Sequence, residues 1–159
     1  MVWERSVKSI RSGIGLLAVV SLVFGMAEAA QGADPLRFLV FSKVEAGGYE
    51  HDAIPTGIAA LHEIGDAQGW QVDDTVDAAI FADPALGDYD AVVFNSTVGD
   101  VLDAGQKAGL QAYIRGGGGF VGVHAATDTE HGWPWYGELV GAWFKNHPKI
   151  QPAVMHVET

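Results

Sequence analysis

Residues 116–129 read GGGGFVGVHAATDT. Four glycines lead into FVGV, a short apolar run of strand-forming residues, and the run ends at His124 between small neighbours. Glycines at a helix end stop it and let the chain turn closely. An apolar run of this length bounded by turn residues is a buried strand. Gly122 and Ala126 stand two positions either side of His124. A sharp strand-to-helix turn needs small residues there, because the backbone nearly touches itself. The stretch therefore predicts a strand–elbow–helix unit with an imidazole at its tip. A histidine there serves as a general base or a metal ligand rather than as a covalent nucleophile. The plainer alternative is a half-buried histidine bonded to a nearby carbonyl.

Similar units lie on both sides. LRFLVFSK (36–43) and DAVVFNS (90–96) are strong apolar strands, and QVDDTVD (71–77) is a weaker one. Pro55 opens a helix whose apolar positions Ile54, Ile58, Leu61, Ile64 and Gly65 run to a stop at Gly69. A second helix spans roughly 103–115 on Ala104, Ala108, Leu110, Ala112 and Ile114. FADPALGDY (81–89) reads as a polar connection, and WPWYGELVGAWF (133–144) as helical in its middle. AVMHVE (153–158) alternates like a further strand. Strands alternating with helices, the central strands apolar on both faces, predict an α/β fold with a doubly wound parallel sheet. A chain that stops at such a strand, with no helix after it, reads as a domain incomplete at its C-terminus.

The N-terminus reads differently. MVWERSVKSIRSG (1–13) is basic, IGLLAVVSLVFGM (14–26) is apolar, and AEA (27–29) offers small residues at a cleavage site. Residues 1–29 thus form a secretory signal peptide, with cleavage after Ala29. The apolar run falls short of the ~20 residues that span a bilayer, so a membrane anchor is the second reading. Residues 30–35 are a linker, and 36–159 form the domain. The expected location is periplasmic or extracellular, with no stable membrane insertion after cleavage. The net charge of −11 would repel a phosphate backbone, which argues against nucleic acid as a partner. The chain has no cysteine, so disulfides, thiolate metal sites and a thiol nucleophile are excluded.

In an open parallel sheet, ligands bind beyond the carboxyl ends of the strands. The loops expected there carry Tyr49, His51 and Asp52, then Asn95, Thr97 and Asp100, then His124, Thr127, Asp128, Glu130, His131, Trp133, Trp135 and Tyr136. His124 and His51 are the candidate catalytic pair, with Asp128 to orient or ligate. Two histidines and a carboxylate, Asp128 or Glu130, would also suit a divalent metal. Tyr49, Asn95, Thr97, Trp133, Trp135 and Tyr136 are candidate substrate contacts, since aromatic faces stack on sugars as well as pack cores. His62, His147 and His156 read as helix-surface, turn and strand residues, and Trp143 and Phe144 as core.

FLVFSK, GGYEHDAIPTGIAAL, YDAVVFNSTVGDVL, YIRGGGGFVGVHAATDT and WPWYGELVGAWFKNHP together resemble the ThuA-like domain, the family named for trehalose utilisation. The resemblance covers residues 36–159. It implies a flavodoxin-like sandwich related to class I glutamine amidotransferases, with His124 in place of their nucleophilic cysteine. Glutamine hydrolysis by that mechanism is therefore excluded. His51-Asp52 matches the family's His-Asp pair after the first strand. Glu50 and His131-Gly132 depart from its usual pattern. The resemblance implies a carbohydrate partner and a role in sugar metabolism, on disaccharides or their oxidised derivatives. A non-catalytic carbohydrate-binding or structural module on the same fold is the alternative.

The leader is checked by mass. Protein recovered from the periplasm or medium is expected to begin near Ala30. An intact Met1 on cytosolic protein would overturn the assignment.

Overall fold

The computed structural model describes residues 34–149, 151, 152, 154, 156 and 157. The expected leader, its cleavage site and most of the linker lie outside the described residues. Four parallel strands form one sheet: β1 (Arg37–Phe41), β2 (Gln71–Thr75), β3 (Ala91–Asn95) and β4 (Gly119–Val123). Their order is β2-β1-β3-β4. This is the flavodoxin-like winding, which reverses direction between β1 and β3.

The central strands β1 and β3 are apolar on both faces because both are covered. On one face Leu39, Phe41, Val92 and Phe94 join Leu110 of α2 (Ala104–Arg115) and Tyr136 of α3 (Pro134–Val140) in one buried cluster. Phe41, Phe81 and Phe94 meet within it at centroid distances of 4.8 to 5.6 Å. Each such ring contributes roughly 1.5–3 kcal/mol by leaving water. On the other face Val40 and Val93 are buried beneath α1 (Ile54–Gln68). Gly65 lets α1 lie against Val72, since a Cβ there would stand 2.5 Å from a Val72 methyl.

The helix ends follow local chemistry. Pro55 occupies the first turn of α1, and Gly69 ends it at φ 72°. Asp103 and Gln106 form a reciprocal capping box at the start of α2.

Two sequence expectations are corrected. Residues 81–89 are not simply a polar connection. Short 3₁₀ turns at Ala78–Ala82 and Pro84–Asp88, started by the Asp77 and Asp83 carboxylates, drive Phe81 and Leu86 into the core. Short polar caps around single large apolar residues hide such anchors from a periodicity reading. The strand expected over 153–158 is not found at the described positions Val154, His156 and Val157, which have no regular structure. Val154 and Val157 are 81% and 87% exposed, and alternation specifies a strand only where a neighbour pairs with it.

Helix α2 packs on the first 3₁₀ turn through Gly109, where an added Cβ would collide with the Phe81 carbonyl. Gly109→Ala is expected to destabilise the domain by about 1–3 kcal/mol, because rigid backbone cannot yield as a side chain does. Denaturant titration checks it, and a cost below about 0.5 kcal/mol would refute this packing.

Candidate functional site

The carboxyl edge of the sheet gathers the candidate site residues. Beyond β4 the chain turns through a 3₁₀ segment, His124–Asp128, and His124 itself adopts φ 52°. That left-handed conformation is uncommon for a residue with a side chain. A Cβ on Gly122 would lie 3.3 Å from the Ala126 methyl, so the turn is as tight as the small neighbours suggest. His124 stands at the tip, exposed.

His51 meets it from the loop after β1. The two imidazoles contact edge to face, with centroids 4.4 Å apart at 90°. Tyr49 packs edge-on against His51 at 4.8 Å. Asn95 secures this side. Its buried amide donates to Ser42 Oγ at 3.1 Å and to the Ile54 carbonyl at 3.2 Å. It thus ties the ends of β1 and β3 to the start of α1. Gly57 leaves room for it, since a Cβ there would be 2.5 Å from Asn95 Oδ1. The Ile54 amide in turn donates to the His51 carbonyl at 3.0 Å.

The loops beyond β3 and β4 are sewn together. Ser96 N donates to the Val123 carbonyl, Gly99 N to Asp128 and Glu130 N to Gly99, at 2.9 to 3.1 Å. Thr97 and Thr129 share a buried hydroxyl contact at 2.8 Å. The Glu130 side chain is wholly buried and accepts from Val101 N at 3.0 Å and Leu102 N at 2.8 Å. Its other oxygen pairs with Lys107 Nζ of α2 at 2.6 Å.

A cavity of about 560 Å³ opens at this edge. His51, His124, Tyr49 and Asp128 line it, together with Ala125, Thr127, Phe144 and His147. Other candidates lie elsewhere. Asn95 and Thr97 are buried and spend their polar groups on the scaffold. Tyr136 is buried and donates to the Ala126 carbonyl at 2.8 Å. Burial first, then the Glu130 carboxylate, push its hydroxyl well above the ordinary tyrosine range, so it stays a neutral donor. Trp133 and Trp135 pack on each other at 4.8 Å, and Trp133 lies over Tyr136 and under the Lys107 ammonium. Both pack against the buried cluster and neither lines the cavity.

A metal centre of two histidines and a carboxylate is not assembled. Among the described residues no three histidine, aspartate or glutamate side chains converge to hold an ion. Asp128 Oδ1 bonds His131 Nε2 at 2.9 Å, and Glu130 faces α2. Phe144 and His147, read from sequence as core and turn, are the pocket residues that sequence reasoning missed. A backbone bond from Phe144 N to the Thr127 carbonyl, 2.9 Å long, returns their segment to the elbow. No local pattern announces that contact.

The ThuA family profile, described as trehalose utilisation, matches residues 37–159. A solved structure of a ThuA-like protein from Bacteroides uniformis ATCC 8492 is similar to the chain at 20% identity, with a TM-score of 0.51. The likeness covers 71% of this chain and 47% of that one, so this chain spans about half its length. At that identity it shows the fold. No curated protein matches.

Glu130 carries the test of this architecture. Glu130→Ala is expected to cost about 3–5 kcal/mol, because it strips two buried N–H groups and an ammonium of their partner. Glu130→Gln keeps an acceptor for Val101 and Leu102 and should cost clearly less. Chemical denaturation of both variants measures the order, and equal costs would contradict it.

Proposed function

This chain belongs to the ThuA, trehalose utilisation, family, and we propose that its histidine pair moves a proton on a disaccharide or keto-sugar. The family's description, trehalose utilisation, supports a role in carbohydrate metabolism. The observation that carries the finer reading is the edge-to-face contact of His51 and His124 in the cavity at the carboxyl edge. Two imidazoles in contact can divide the work of proton transfer, one as base and one as its acid partner. On a keto-sugar, His124 on the exposed elbow takes the proton from the carbon beside the carbonyl and His51 gives one to the enolate oxygen. On a disaccharide, His124 takes a proton from the attacking water as the glycosidic C–O bond breaks, and His51 gives one to the leaving oxygen. Neither course needs a bond between enzyme and sugar, which suits a site without a thiol or serine at its tip. The basic start, the apolar run and AEA support an exported protein that meets its sugar in the periplasm or medium.

A second reading is a carbohydrate-binding module that keeps the fold without turnover. The departure from the amidotransferase nucleophile, His124 where a cysteine would act, favours keeping it in view.

The two readings separate in a kinetic comparison of the full chain with His124→Ala and His51→Ala, on trehalose and its keto derivatives. The proton-transfer reading expects turnover to fall about 10²–10⁴-fold with sugar affinity largely kept. Turnover unchanged in His124→Ala would refute it. Binding without turnover in every form would establish the module.

A further inference from the structure

The segment after α3 is pinned beside the elbow by four contacts that local sequence does not require. Trp143 Nε1 donates to the Thr129 carbonyl at 3.0 Å. Its ring stacks on His131 at 5.7 Å, with planes 16° apart. The same ring rests on Gly137, where a Cβ would come within 2.6 Å of it. Phe144 N then bonds the Thr127 carbonyl at 2.9 Å. Anchored in this way, the chain carries Phe144 and His147 into the lining of the cavity. Phe144 keeps 39% of its surface exposed, although an apolar ring gains by burial. Tyr49, also on the lining, is 69% exposed.

We infer that Phe144 and His147 are substrate-contacting residues, which with Tyr49 bind the pyranose ring of a sugar beside the His51–His124 pair. This inference rests on the proposed sugar chemistry of that pair. A sugar ring has C–H groups on one face and hydroxyls at its rim. Phe144 and Tyr49 supply flat, partly exposed rings of the kind that pack on such a C–H face. His147 supplies the polar part. Its Nδ1 lies 2.8 Å from the Pro148 carbonyl, which accepts only from an N–H. That bond sets the tautomer and leaves Nε2 as an acceptor for a sugar hydroxyl. The tryptophans of the same stretch do not compete for this role, because Trp133 and Trp135 are committed to packing and Trp143 to the anchor. The volume of about 560 Å³ falls within the range of small-molecule pockets.

The test is equilibrium binding to the full chain, by calorimetry, with trehalose, maltose and methyl α-glucoside as probes. Phe144→Leu keeps apolar bulk and removes the flat face, and His147→Ala removes the acceptor. Each is expected to weaken binding about tenfold, with Phe144→Tyr near wild type. Gly137→Ala, outside the cavity, is expected to weaken binding too, by displacing Trp143 and the segment it anchors. Thermal melts within a few degrees of wild type establish that each variant is folded, and Phe144→Met replaces Phe144→Leu if the latter is not. Wild-type binding that Phe144→Leu and His147→Ala leave unchanged would overturn the inference while the histidine pair's sugar chemistry stands. A wild-type chain that binds none of the probes would overturn both.

Discussion

Glu130 carries a carboxylate that water does not reach, on a backbone at φ 54°. A buried, unpaired charge would be neutralised or expelled. The Val101 and Leu102 amides, just before α2, and the Lys107 ammonium converge on this one. The loop after β4 is thereby locked to the loop after β3 and to the helix that joins those strands. The elbow at His124 and the Thr127 carbonyl that receives Phe144 belong to the same short stretch. Their positions follow from where Glu130 must sit. Lys107 also stands over the face of Trp133, the residue that precedes α3.

Asn95 does the corresponding work on the other side. The loops that leave β1 and β3 stay joined at first, through a parallel bridge between Val44 and Val98 and a bond from Glu45 N to the Val98 carbonyl. His51 lies farther along the loop after β1 and His124 at the end of β4, on two banks of the cavity. A side-chain amide at the end of β3, bonded to Ser42 and Ile54, holds the first bank. The buried carboxylate holds the second. Between them the imidazoles meet in a fixed edge-to-face geometry, instead of sampling the space of two free loops.

The strands, the two longer helices and the elbow were legible in the sequence because each rests on local rules. Apolar runs of strand length, a proline at a helix start, a glycine at its end and small residues around His124 all act within a few positions. The histidine pair was legible only through the general rule that parallel sheets gather loops at one edge. What was not legible depended on distant partners. Asn95, Thr97 and Tyr136 look like site residues because they are polar or aromatic and follow strand ends, yet their partners Ser42, Thr129 and Ala126 are set by tertiary contact. Proximity in the sequence points Asp128 toward His124, whereas the fold pairs it with His131. Phe144 and His147 were not legible for the converse reason. They are remote from any strand end and reach the cavity through a segment that doubles back.

The separation of His51 and His124 along the chain has a consequence for how the pocket comes into being. Strands β1 and β2 with α1 between them are a local unit that closes a short loop. The neighbour of β1 on its other side is β3, and β4 joins only beyond that. Closing longer stretches of chain costs more entropy before any contact returns it. A nascent chain thus presents His51 well before there is an edge for His124 to occupy. The two imidazoles become neighbours only when β4 has docked and its loop has been captured around Glu130. Partly folded forms hold the histidines apart, so their contact is a late property of the fold, acquired after the strands that carry them have paired.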